Sequence, residues 1–168
     1  MTRRSLGLVT LVALVWLVGA TSGCGGGGPN RPELMAAARF ETPLDVAVGL
    51  PDVSPDGKGR RVTFGAVPGY YAVASTKPIE EIVTPPVAER EQIGAGRLRL
   101  EPERNIPPET VAQFRLALLR NMERNGLFQA RAATIRFLGQ RLFRADIVFP
   151  ANVPTGLYTV NVYLVKGG

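Results

Sequence analysis

Leu142-Phe143-Arg144-Ala145-Asp146-Ile147-Val148-Phe149 and, after a two-proline loop, Tyr158-Thr159-Val160-Asn161-Val162-Tyr163-Leu164-Val165 both alternate with a period of two. That period sends successive side chains to opposite faces of a strand. Phe143, Ala145, Ile147 and Phe149 then share one face, while Tyr158, Val160, Val162 and Leu164 point inward and Thr159, Asn161 and Tyr163 point out. Ala133 to Leu138 is a third β-prone run, and Gly139-Gln140-Arg141, between it and the run from Leu142 to Phe149, reads as a hairpin. The Pro-x-Gly-x-Tyr spacing over 154–158 lets Tyr158 bury its ring and tie down the preceding loop with its hydroxyl, as a tyrosine corner does.

Upstream of these strands lies the clearest helix. Pro108 suits a first helical position, Glu109 complements the dipole, and Asn125-Gly126 supplies a stop. Val111, Phe114, Leu118 and Met122 make one apolar stripe, as core packing requires, with Gln113, Arg120, Glu123 and Arg124 opposite. Earlier still, Leu44 to Leu50, Arg61 to Phe64 and Tyr70 to Ala74 read as short strands, although four prolines leave 31–59 poorly patterned. Ser54-Pro55-Asp56-Gly57 reads as a tight turn. A helical turn is expected at 77–82, stopped by Pro85-Pro86, then a short helix over 87–93 closed by Gly94-Ala95-Gly96, then a strand around Leu98 and Leu100. The fold class expected is mainly β (α+β): an antiparallel, Ig-like β-sandwich with an inserted amphipathic helix at about 108–125.

Composition excludes much chemistry. The 168 residues include no His and one Cys, which removes imidazole bases, Ser/His and Cys/His pairs, the common zinc sites and any internal disulfide. No cofactor or metal site is expected. The 17 Arg and 3 Lys give a net charge of +6, which falls to +4 without Arg3 and Arg4. With no dense basic run and no aromatic-rich stacking strand, no nucleic-acid partner is expected.

Those two arginines precede an uncharged apolar run from Leu6 to Ala20 and then Thr21-Ser22-Gly23-Cys24, the layout of a secretory signal peptide. Ala20 to Cys24 resembles a bacterial lipobox, with Thr21 in place of the usual Leu, which makes Cys24 the candidate lipidation site. A plain cleaved signal and a retained spanning helix are the alternatives. The expected organisation is a signal peptide over 1–23, a Gly-rich tether over 24–32 and one β-rich extracytoplasmic domain over 33–168.

From Val67-Pro68-Gly69-Tyr70-Tyr71-Ala72-Val73-Ala74-Ser75, through Gln92-Ile93-Gly94 and Arg97-Leu98-Arg99-Leu100-Glu101-Pro102, to Phe137–Ala145 and Phe149–Val165, the sequence resembles the Alph_Pro_TM family of alphaproteobacterial membrane proteins. The likeness covers about 61–168, with order and spacing kept. It implies a cleaved signal, a β-rich domain facing the periplasm and a C-terminal membrane helix. It also implies an accessory role near transporters of the sulfite-exporter type, and it carries no catalytic residues. The sequence given stops at Gly168, where the resemblance implies a further strand and that helix, so the domain is expected to be truncated there or anchored by Cys24 instead.

Arg120, Arg124, Arg131, Arg136, Arg141 and Arg144 are the candidate anion- or phospholipid-facing patch, against the plainer reading of a solvated outer face. Glu80, Glu81, Glu89 and Glu91 could supply carboxylates, but neighbouring acids on short helices usually point to water. Tyr70 and Tyr71 could offer a stacking surface, with one ring lost to the core. The function expected is a non-enzymatic binding or accessory module of the cell envelope, bound to membrane lipid through its N-terminus and partnered by an integral-membrane transporter. A glycan hydrolase working through carboxylates and an inert lipid-anchored spacer are the competing readings.

Overall fold

The computed structural model describes residues 7–14, 33–40, 43–50, 60–139 and 142–165. Its strands are β1 (Gly7–Leu14), β2 (Glu33–Phe40), β3 (Pro43–Leu50), β4 (Arg60–Pro68), β5 (Tyr71–Ser75), β6 (Glu101–Pro102), β7 (Ala133–Phe137), β8 (Leu142–Phe149) and β9 (Tyr158–Val165). Its α-helices are α1 (Ile79–Ile82), α2 (Pro85–Arg90) and α3 (Pro108–Arg124). The larger sheet has the order β1-β8-β7-β5-β2-β9, and β3-β4-β6 form a second, small sheet.

The mainly β character and the long helix agree with expectation, but the antiparallel Ig-like sandwich does not. β5 and β7 run parallel, with Ala74 opposite Ala133 and Ser75 opposite Thr134, so the sheet is mixed. Its five strands from β8 to β9 curl into a half-barrel rather than facing a second sheet of equal size. A parallel pair needs a long crossover, and α1, α2, the small β6 strand and α3 all lie between β5 and β7. The helix that the sequence suggests as an insertion is therefore part of the connection that sets the topology.

Both faces of the half-barrel are covered. On one, Met35, Ala37, Tyr71 and Val73 meet Phe114, Leu118 and Met122 of α3, together with Phe64, Val67 and Ile93. Each of these large apolar side chains contributes about 1.5–3 kcal/mol when fully buried. On the other face, Leu34, Ala36, Ala74, Ile135, Phe143 and Ala145 form one cluster, and Ala38, Phe40, Tyr70, Ala72 and Ile147 another. Alanines at four of these inner positions, on β2 and β5, allow the sheet to curl tightly.

Tyr158 behaves as expected, its hydroxyl donating to the carbonyl of Pro154. The rest of β9 needs correction. Tyr163 and Val165 pack toward the α3 side, while Val162 and Leu164 are 39% and 37% exposed, because β9 is an edge strand with useful contacts on both faces. Similarly, Leu98 and Leu100 are buried but not in a strand. Ala95–Arg97 is a 3-10 turn and the strand proper is only Glu101–Pro102.

The apolar run read as a targeting segment is extended over Gly7–Leu14, not helical, and pairs antiparallel with β8 from Gly7 opposite Phe149 to Leu14 opposite Leu142. In the uncleaved chain it covers the edge of β8 that cleavage after Gly23 would expose. Cys24, the tether over 24–32, the turn at 54–57 and Arg141 lie outside the described residues.

Candidate functional site

Arg39 is the last but one residue of β2, opposite Tyr71 on β5 and Thr159 on β9. It continues the Met35–Ala37 face to the place where helical cover gives way to the loop after α2. Its Nη2 donates to the carbonyls of Glu91 (3.1 Å) and Gln92 (2.9 Å), and its guanidinium lies 5.4 Å from the centre of the Tyr71 ring. Its Nε is buried and has no hydrogen-bond partner among the described residues. A guanidinium stacked on an aromatic face and held by carbonyls is fixed in place, and no carboxylate among the described residues compensates its charge.

Tyr71 completes the frame. Its hydroxyl donates to the Gln92 carbonyl at 2.9 Å and accepts from the Gly94 N–H at 2.8 Å. Burial pushes its phenol above the ordinary range, partly offset by the Gly94 hydrogen bond and by the Arg39 charge. Gly94 has φ +102°, a conformation that suits glycine. Gln92 ends α2 in a Schellman arrangement, its own N–H bonding Glu89 and that of Ile93 bonding Ala88. Glycine usually fills that left-handed position, so Gln92, at φ 54°, stays there against its own preference.

Arg39 and Gln92 line a cavity of about 540 Å³, with Arg99 on its rim and Phe40, Pro68 and Leu98 as apolar wall. Thr159 and Asn161 close the β9 side. Among the described residues only Ala66 and Gln92 combine a side chain with a positive φ, and both line this cavity. Strained backbone of this kind gathers at functional sites more often than elsewhere. A second cavity of about 570 Å³ shares Leu98 and Arg99 and adds Arg90, Arg97 and Arg115. Arg115 donates to the carbonyls of Gly96 and Leu98 at 2.8 and 2.7 Å, and Arg97 to that of Ile93 at 3.2 Å. Glu80 stands 3.5 Å from Arg97 and Glu91 pairs with Arg90, but no carboxylate among the described residues pairs with Arg39, Arg99 or Arg115.

The arginines singled out from sequence are arranged differently. Arg120 and Arg124 sit on the exposed side of α3, Arg131 is exposed before β7, and Arg136 faces Arg144 across the β7–β8 pair. Arg144 is bound to Asp146 at 2.9 Å. The four glutamates do not form a buried pair: Glu80, Glu81 and Glu89 are exposed, and Glu91 is taken by Arg90. Neither Tyr70 nor Tyr71 offers a stacking surface, since both are fully buried on opposite faces of a sheet covered on both sides. Tyr70 donates to the Val148 carbonyl at 2.9 Å and stacks on Phe149, and burial pushes its phenol well above the ordinary range.

Residues 58–168 match the family model described as "Putative transmembrane protein (Alph_Pro_TM)". The chain belongs to this family. Its description associates it with the membrane and assigns it no activity. Comparison with curated proteins and with solved structures gives no match. The family's matched segment contributes Gln92, Arg97, Arg99 and Arg115, whereas Arg39 comes from outside it. Among the described residues, no helix is long and apolar enough to cross a membrane.

Proposed function

We propose that this family member is a non-enzymatic binding or accessory module of the cell envelope, held at the membrane by lipid on Cys24, facing the periplasm and serving an integral-membrane transporter. The observation that carries the reading is the concave site around Arg39, Gln92 and Arg99. Guanidinium, amide and hydroxyl groups orient a ligand well, but none of them exchanges protons readily near neutral pH. The whole chain has no histidine to do so for them. Membership of a membrane-associated family supports the location, and the lipobox-like Ala20–Cys24 supports the anchor.

The test is made in membranes of cells expressing the full chain. The protein should take up labelled fatty acid, sediment with membranes, and cross-link to a specific integral-membrane protein. Cys24→Ser should abolish the label and leave the precursor unprocessed. Normal processing of that variant removes the anchor, and a chain found free in the periplasm with no cross-linked partner removes the accessory role.

A further inference from the structure

We infer that the Arg39–Arg99 cavity binds a phosphate group, a ligand class that deepens the binding role proposed above and rests on the same cavity. Three features converge. Arg39 is held rigidly by two carbonyls and the Tyr71 ring, so little side-chain freedom is lost when an anion arrives. Arg99 is exposed on the rim, and its backbone N–H is anchored to Gln92 Oε1 at 3.0 Å, which sets the direction from which its side chain leaves. Among the described residues, none of those lining the cavity is acidic. Arg115, next door across Leu98 and bonded to neutral carbonyls, adds positive charge in the second cavity, where Arg97 is paired with Glu80 and Glu89 also lines the wall.

Arg39 and Arg99, which reach the cavity from different elements and have no carboxylate partner among the described residues, favour a phosphate group, whose diverging anionic oxygens can meet both, over a single planar carboxylate. The Phe40, Pro68 and Leu98 wall leaves room for a small organic body beside the phosphate, and a cavity of about 540 Å³ is of ordinary ligand size. The phosphate could be carried by a free solute or by an anionic phospholipid headgroup, and the chemistry at the arginines is the same.

Calorimetric titration of the full chain in nonionic detergent separates these sources. Inorganic phosphate and short-chain phosphatidylglycerol below its micelle concentration are the probes, with acetate at equal ionic strength as control. Saturable binding of phosphate identifies a free-solute site, and binding of phosphatidylglycerol alone identifies a headgroup site. Arg39→Gln and Arg99→Ala should each weaken binding about tenfold or more, the loss of a charge-assisted hydrogen bond, while Arg120→Ala leaves it unchanged. Arg99→Ala keeps the test open if Arg39→Gln fails to fold, because the Arg99 side chain is exposed. The inference is overturned if neither probe binds better than acetate, or if Arg99→Ala binds as the wild type does. Neither result touches the anchoring experiment, so loss of the ligand leaves the membrane role standing and loss of the anchor leaves the ligand standing.

Discussion

Two sets of arginines in this molecule look alike as residues and differ in what the fold does with them. Arg120, Arg124, Arg136 and Arg144 are close in sequence and end on solvated faces of α3, β7 and β8. Arg39, Arg97, Arg99 and Arg115 are scattered over 77 positions and meet around one loop, where three of them donate to main-chain carbonyls. A charge on an open face is screened and worth little, whereas a guanidinium tied to carbonyls supports the backbone and still projects its charge. Clustering along the sequence is therefore a poor guide to where positive charge becomes useful.

The contrast can be broken by measurement. Arg39→Ala should cost about 2–3 kcal/mol in urea unfolding, since it deletes charge-assisted bonds to two carbonyls and the contact with Tyr71. Arg115→Ala, whose two carbonyl bonds are nearer the surface, should cost about 1–2 kcal/mol by the same assay. Arg120→Ala and Arg136→Ala should each stay within about 0.5 kcal/mol of wild type. Equal losses in both sets would erase the distinction.

A subtler contrast lies in pH. Arginine–carbonyl bonds do not titrate in the accessible range, but the Glu33–Lys77 pair, at 2.7 Å, does. Hydrogen bonds from Lys77 and Thr76 hold the Glu33 carboxyl below its ordinary 4.5. Its contribution is thus present above that value and is lost as pH falls through the lowered one. Lys77→Met should flatten the acid limb of a stability–pH curve slightly, since the pair is largely exposed, while Arg115→Ala should shift the curve without changing its slope. An unchanged slope in Lys77→Met would show that the pair contributes nothing.

Neighbouring strands teach the same lesson about the fold. β9 was legible because its polar and apolar residues alternate, although its edge position shares contacts between both faces. β2, its partner over Glu33 to Phe40, has no such signal: from Leu34 to Ala38 every residue is buried, so Leu-Met-Ala-Ala-Ala carries no alternation to read. Strands covered on both sides lose the period-two signal for a physical reason. Helix ends divide similarly. α3 stops where Asn125-Gly126 promises, with Gly126 at φ +71°. α2 begins at the Pro85-Pro86 pair expected to halt a helix, a natural role for proline in a first turn, and ends in Gln92 rather than at Gly94. Nothing local marks Gln92, because its conformation is held by Arg39 and Tyr71 from other strands.

The candidate site was hidden for that reason. Arg39 lies in the stretch that four prolines make hard to read, and Arg97 and Arg99 looked like the polar half of a strand. By itself the sequence determined what could be read locally: the late strands, α3 and its stop, the tyrosine that ties its loop, family membership and the absence of histidine chemistry. These follow from periodicity, turn chemistry and composition. The tertiary structure alone decided that the sheet is mixed and curled, that both tyrosines are core, and that Arg39 and Arg99, from distant stretches of the chain, line one cavity beside a second that holds Arg97 and Arg115. Those outcomes depend on which strand lies beside which, a choice made by burial of whole faces rather than by any residue's immediate neighbours.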